Sequence, residues 1–149
     1  MTIYFYKVSN PYGYFSNFSP HGINLGGRYW PTVEHYYQAQ KFAGTKDEAL
    51  VEVIRAAKTP EEAAALGRDP SRTVRSDWEQ AKMKVMREAV LTKFLTHLQI
   101  QAKLVETGDE SIVEDSPIDR YWGCGTDKTG CNHLGKILMQ IREQIRSRE

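Results

Sequence analysis

The sequence predicts a mainly α (α+β) fold, a compact helical bundle with a few short β-strands near the N-terminus and in loops. Patterns typical of amphipathic helices cover most of the chain after residue 30, and several begin with capping residues. Only three short segments show the alternation or residue types of strands. The 149 residues are enough for one domain, residues 1–149, that folds without a disulfide or a metal.

Composition argues against a protein that binds polyanions or membranes over a broad surface. With 20 basic and 19 acidic residues the formal net charge is +1, so a polyanion would have to meet a local patch. There are two cysteines, no pattern of a signal peptide, and no apolar run near the ~18 residues that span a bilayer. These features predict a cytoplasmic protein with no membrane partner.

Residues 2–6 predict a strand, and residues 23–29 predict a hairpin that turns at two glycines. The loop between them places the amide of Asn17 between the rings of Phe15 and Phe18. Two interpretations stay open for this loop. It packs on the core, or it grips a planar or ribosyl ligand.

The segment WPTVEHYYQAQKF, residues 30–42, predicts the first helix. Thr32 is suited to the N-cap, and the helix dipole favours the carboxylate of Glu34 in the first turn. Helical spacing sets four polar side chains on one stripe: Glu34, Tyr37, Gln38 and Lys41. The stripe is either a solvated face or a cleft where burial and proximity tune the pKa values of these groups for acid, base or nucleophile chemistry.

Later segments predict further helices over residues 46–57, 59–67, 76–96 and 97–108, and a short strand at residues 111–115. Three arginines follow the second of these helices, and their guanidinium groups suit phosphate oxygens. Arg68 is the first of them and directly follows the helix stop.

The segment DRYWGCGTDKTGCNHLG, residues 119–135, combines glycines, which allow close approach of a ligand, with the stacking faces of Tyr121 and Trp122. Asn132 is the expected N-cap of a final helix, whose N-terminus suits an anion. The spacing of the cysteines and of His133 lacks the paired arrangement of zinc sites, so neither a metal nor a cofactor is expected.

Five segments carry a family resemblance: YGYFSNF, WPTVEHYYQAQKF, LGRD, DWEQAKMKVMREAVLTKF and DRYWGCGTDKTGCNHLGKILMQIR. In order and spacing they resemble the NADAR (YbiA-like) family over nearly the whole chain. The resemblance implies a compact, mostly helical domain that acts as an N-glycosidase. It implies two substrate classes: ADP-ribose on the guanine amino group of DNA, and early phosphoribosylamino-pyrimidine intermediates of riboflavin synthesis. In the first case the partner is an ADP-ribosyltransferase toxin, for which the domain acts as antitoxin.

The expected site combines the resemblance with the residue types. The expected catalytic residues are Glu34, Lys41 and Asp119. The expected substrate-binding residues are Phe15, Asn17, Phe18, Trp30, Gln38, Arg68, Tyr121, Trp122, Gly123 and Asn132. Two mechanisms stay open: a carboxylate activates water while an acid protonates the leaving nitrogen, or Lys41 forms a Schiff base with the opened ribose.

Two functions from other classes are alternatives. The first is a non-catalytic sensor module that binds ADP-ribose or NAD in the same pocket. The second is a sequence-specific nucleic-acid binder, which the near-zero net charge disfavours.

Overall fold

The computed structural model describes residues 1–148 of the 149-residue chain. The described residues form four β-strands, six α-helices and one 3-10 turn, Gly13–Phe15. The strands are β1 Thr2–Phe5, β2 Ile23–Leu25, β3 Arg28–Trp30 and β4 Ser111–Glu114. The helices are α1 Val33–Gln40, α2 Leu50–Arg55, α3 Pro60–Gly67, α4 Trp78–Thr96, α5 Leu98–Glu106 and α6 His133–Arg146. The predicted mainly α (α+β) class is confirmed, and the extent of the single domain, residues 1–149, stays a prediction.

Contacts within the chain form two compact units, Met1–Ser19 with His97–Glu149, and Pro20–Thr96. In the first unit β1 pairs with β4 in parallel, with Thr2 opposite Ser111 and Phe5 opposite Glu114. Helix α6 packs on β4 and against α5. Its buried face carries apolar side chains at helical spacing: Leu134, Ile137, Leu138, Ile141 and Ile145.

Asn132 holds β4 against the start of α6 in a way that the sequence did not predict. It occupies the N-cap position with φ 53°, but its side chain makes no capping hydrogen bond. Instead its Oδ1 accepts from the amide of Glu114 at 2.9 Å, and its Nδ2 donates to the carbonyl of Ile112 at 3.0 Å. Asn132 is therefore the N-cap residue as predicted, but its side chain does not cap the helix, because both ends of its amide bind strand β4.

In the second unit β2 and β3 form the predicted antiparallel hairpin, which places Ile23 opposite Trp30. Its turn residues Gly26 and Gly27 have φ values of 64° and 78°, a conformation that only glycine adopts without strain. Trp30 is buried, and its indole N–H donates to the carbonyl of Leu25 at 2.9 Å. The hairpin thus fixes the point from which α1 begins.

Helix α1 lies at the centre of the second unit and packs against α2, α3 and α4. Thr32 caps it as predicted, since its hydroxyl accepts from the amide of His35 at 3.1 Å. The His35 ring links the helix to the carbonyl of Ala57, 3.0 Å from Nε2. Every residue from Val33 to Ala39 is buried, so the interpretation of a solvated polar face is wrong.

Helix α4 reaches Thr96 as predicted and begins at Trp78. Within residues 1–148, no helix has the length and apolar character that crossing a membrane requires.

Candidate active site

The predicted polar stripe of α1 is a buried group of interacting side chains. Glu34 is 5% exposed and lies in the first turn, where the helix dipole favours its negative charge. One turn later, Gln38 is 2% exposed and donates from Nε2 to Oε2 of Glu34 at 2.7 Å. A carboxylate held by an amide inside the fold is oriented, and it is shielded from bulk water.

Gln38 is fixed from its other side by the backbone of Gly67, the last residue of α3. A Cβ at Gly67 would overlap Oε1 of Gln38 and lie 2.7 Å from its Cβ. Within the described chain Oε1 is buried and has no hydrogen-bond partner. The close approach of α3 to α1 therefore requires glycine at this position.

Gly67→Ala is expected to lower the free energy of unfolding by about 1–3 kcal/mol, because the added methyl group overpacks a buried contact. Displacement of Gln38 also removes the hydrogen bond to Glu34. Urea unfolding measures the loss of stability. Ala65→Ser, on the exposed side of the same helix, is the control, and equal stability of the two variants would contradict the prediction.

Lys41 follows the last residue of α1 and turns its ammonium toward α3. Nζ donates to the carbonyl of Gly67 at 3.3 Å and lies 5.8 Å from the centre of the Tyr37 ring. Burial lowers the pKa of Lys41 below its ordinary value; Glu34 opposes this shift, while the positive charges of Arg68 and Lys82 add to it. The structure therefore holds an amine of reduced basicity against α3, where its charge interacts with that of the buried Glu34 carboxylate.

Arg68 is exposed directly after α3, and its side chain makes no hydrogen bond or ion pair with another residue of the described chain. The neighbouring arginines differ. Arg72 lies 3.4 Å from Asp47, and Arg75 lies 2.6 Å from Asp77. Of the three loop arginines, Arg68 is the one that is not held in an ion pair within the described residues. We call Glu34, Gln38, Lys41, Gly67 and Arg68 the α1 cluster.

Three members of this neighbourhood were not predicted as functional. In the sequence Gly67 marks only the end of the predicted helix 59–67, and Trp78 and Lys82 lie within the predicted helix 76–96 without an assigned role. The Trp78 ring lies 5.1 Å from the Tyr37 ring, and Lys82 follows one turn later on α4. Sequence periodicity does not show which helix packs on α1. The glycine directly before Arg68 does indicate a point where another part of the chain approaches closely.

The predicted aromatic ligand contacts Trp30 and Phe15 are packing residues in the structure. Trp30 is 2% exposed and meets the Tyr36 ring edge to face at 5.2 Å. Phe15 is 1% exposed and stacks on Tyr12 at 5.9 Å. Of the other two residues of the FSNF loop, Asn17 is buried and Phe18 is half-buried. Packing accounts for Phe15, and a ligand role for these residues stays a prediction.

In the first unit, Asp119 organises the glycine-rich loop, residues 119–130. Its Oδ1 accepts from the amides of Tyr121 and Trp122 at 2.9 and 2.8 Å. The ring of Tyr121 lies 4.7 Å from Trp122 and 4.5 Å from His133, so three rings are grouped at the end of the loop. The structure thus brings Asp119, Tyr121 and Trp122 together. The Asp119 carboxylate stabilises the loop by accepting hydrogen bonds from two of its amides.

The backbone of this loop occupies the N-terminus of α6. The amides of Asn132, His133 and Leu134 each donate to a loop carbonyl at 3.0 Å. These amides are therefore used by the protein itself, and the predicted anion site at this helix end is not formed. Gly123 is also explained by packing, because a Cβ there would lie 2.7 Å from Oε2 of Glu114.

The cysteines show no sign of a reactive pair. Cys124 is buried, and burial raises the pKa of its thiol above the ordinary value. Cys131 is exposed and is a free thiol. Among residues 1–148 no three His, Cys, Asp or Glu side chains are grouped in a way that suits a metal ion.

Comparisons with known proteins place this chain in a family. The model of the NADAR domain matches residues 4–146. An N-glycosidase of Nostoc punctiforme is 64% identical over 147 residues, which cover 99% of this chain and 94% of that protein. The chloroplastic riboflavin biosynthesis protein PYRR of Zea mays is 45% identical over 155 residues, which cover 96% of this chain but 25% of that protein.

A solved structure supports the same assignment. N-glycosidase YbiA of Escherichia coli is 46% identical over 143 residues, covering 96% of this chain and 88% of that protein. Its NMR structure matches with a TM-score of 0.89 at 44% identity and covers 99% of this chain and 88% of that chain. With a family match across almost its full length and this agreement in fold, the chain belongs to the NADAR family.

Proposed function

We propose that this protein is an N-glycosidase that hydrolyses the bond between C1 of a phosphorylated ribose and an exocyclic nitrogen of a planar base. The observation that carries the proposal is the buried Glu34 carboxylate, which accepts a hydrogen bond from Gln38 at 2.7 Å. Its charge acts on the Lys41 ammonium, whose pKa burial lowers. Relatives named as N-glycosidases support a hydrolase of N-glycosyl compounds. A relative named as a riboflavin biosynthesis protein supports the broader substrate class.

Two substrates have the required shape. In one, ADP-ribose is attached to the amino group of guanine in DNA, and a paired ADP-ribosyltransferase toxin would produce it. In the other, phosphoribose is attached to the amino group of an early pyrimidine intermediate of riboflavin synthesis. Both substrates present a ribose C1, an exocyclic nitrogen and a 5′ phosphate. The α1 cluster is suited to this shared part, because it combines a carboxylate and an amine for the C1–N bond with an arginine for the phosphate.

The first route uses Glu34 as general base. Its carboxylate removes a proton from water as the water oxygen bonds to C1, while the C1–N bond breaks and the leaving nitrogen takes a proton from the Lys41 ammonium. The products are a base with a free amino group and a ribose with a hydroxyl at C1. The position of Glu34 favours this route, because burial and the hydrogen bond from Gln38 hold the carboxylate in one orientation away from bulk water.

The second route uses Lys41 as nucleophile. The ribosylamine opens to an imine at C1, the neutral Lys41 amine adds to C1, and the base leaves as its amine, so that a Schiff base remains. Water then hydrolyses it and regenerates Lys41. The lowered pKa of Lys41 favours this route, because only the neutral amine adds to an imine.

Borohydride separates the two routes. If Lys41 forms a Schiff base, reduction during turnover leaves a ribosyl adduct on a Lys41 peptide in the mass spectrum. An unmodified peptide after complete turnover in borohydride excludes this route and leaves the general base.

The test of the proposed function is product release. The wild-type protein and Lys41→Ala are incubated with guanine-ADP-ribosylated DNA and, separately, with the phosphoribosylamino-pyrimidine, and the products are separated by chromatography. Wild type is expected to release ADP-ribose from the DNA, which restores the guanine, or to release ribose 5-phosphate and the aminopyrimidine from the second substrate. Lys41→Ala is expected to lose this activity. If neither substrate is cleaved and ADP-ribose still binds tightly, the proposed enzymatic function is wrong and the protein is a sensor module.

A further inference from the structure

Lys82 on helix α4 lies beside the α1 cluster, although no sequence motif singled it out. Trp78 and Lys82 are one turn apart, so both lie on the same face of α4. Trp78 contacts Tyr37 at 5.1 Å, and Tyr37 in turn lies under the ammonium of Lys41. The face of α4 that packs on α1 therefore carries Lys82 toward Lys41.

The exposure of Lys82 agrees with this placement. Its side chain is 15% exposed, whereas that of Lys84 on the same helix is 82% exposed. The Nζ of Lys82 lies 3.0 Å from Oε1 of Glu79, whose side chain is 75% exposed. An ion pair with an exposed carboxylate is weak, so a bound anion can replace it at small cost.

The positive charges of Arg68 and Lys82 each lower the pKa of Lys41. The packing of Trp78 on Tyr37 agrees with this effect, because it turns the face of α4 that carries Lys82 toward Lys41. Glu34 is the carboxylate that offsets them there, and it is occupied by Gln38. Like charges that are held together repel, and a dianion placed among them removes the repulsion. Phosphate has the charge and the acceptor oxygens that ammonium and guanidinium groups bind best.

We propose that Lys82 is a specificity-determining residue that, with Arg68, binds the phosphate of the substrate. This inference rests on the proposed function and names the residue on α4 that recognises the phosphate. It assigns to α4 a residue that contacts the substrate, while Glu34 on α1 faces the reacting carbon.

Binding of ribose 5-phosphate tests the inference without hydrolysis. Titration calorimetry is carried out on the wild type, Lys82→Met, Lys82→Arg and the control Lys84→Met. The Kd of Lys82→Met is expected to rise about tenfold, the loss of one charge-assisted contact, while Lys82→Arg and Lys84→Met stay close to wild type. Equal Kd values for Lys82→Met and the wild type would overturn the inference, as would a wild type that does not bind the sugar phosphate at millimolar concentration.

Hydrolysis gives a second measurement that separates this inference from the proposed function. Where the phosphoribosylamino-pyrimidine is cleaved, Lys82→Met is expected to raise KM for this compound and to leave unchanged the KM for the same compound after phosphatase treatment. An equal change for both forms would assign Lys82 a merely structural role. If ribose 5-phosphate binds in a Lys82-dependent manner but no N-riboside is cleaved, the phosphate site stands and the proposed function fails.

Discussion

Glu34→Gln is expected to lower kcat for N-riboside hydrolysis by about 10²- to 10⁴-fold, the contribution of a general base. The amide has nearly the shape of the carboxylate, and its oxygen can still accept from Nε2 of Gln38, which lies 2.7 Å from Oε2 of Glu34 in the structure. The fold and the hydrogen bond are thus kept, whereas the negative charge and the basic oxygen are lost.

The measurement is steady-state kinetics, with thermal unfolding to verify the fold. Glu61→Gln is the matched control, because Glu61 is an exposed glutamate of the same unit in the first turn of α3. Its kinetic constants are expected to equal those of the wild type. A Glu34→Gln protein with wild-type kcat and a raised KM would show that Glu34 binds substrate and does not act as the base.

The Glu34–Gln38 pair was predictable because it depends on helical geometry alone. A capped helix start fixes the phase of α1, and residues four apart then lie on one face. The surroundings of the pair were not predictable in this way. Gly67 meets Gln38 only because α3 packs on α1, and no periodicity within α1 indicates this partner. For the same reason the burial of the polar face was not visible, since three helices cover it.

In the first unit, too, local residue patterns predict the helices and strands but not the contacts between segments that are far apart in the chain. Strand β4 and helix α6 follow from local residue patterns. The parallel pairing of β1 with β4 joins segments far apart in the chain, and no local pattern specifies it. Asn132 fits a helix cap by residue type, but β4 presents an amide and a carbonyl that bind its side chain instead. The prediction of an anion site at α6 was wrong, because the carbonyls of the preceding loop accept hydrogen bonds from the amides at the start of the helix.

Lys93 is the residue whose titration is expected to dominate the stability of the protein near neutral pH. It lies on α4, is 2% exposed and has its Nζ 5.4 Å from the centre of the Phe94 ring. Burial lowers its pKa to about 7, whereas an unfolded lysine has a pKa of about 10.4. Between these two values the unfolded chain binds more protons than the folded chain, so stability rises with pH in this window.

We therefore expect the free energy of unfolding of the wild type, relative to Lys93→Met, to increase by about 2 kcal/mol between pH 7 and pH 9. Methionine has a similar length and no charge, so the variant is expected to be the more stable protein at pH 7, with a difference that narrows as pH rises. Urea unfolding at several pH values measures this difference. Lys84→Met, at an exposed position of the same helix, is expected to show no such trend. A difference between the wild type and Lys93→Met that stays constant from pH 7 to pH 9 would mean that Lys93 keeps its proton in the folded protein, and that the fold stabilises a buried positive charge at this position.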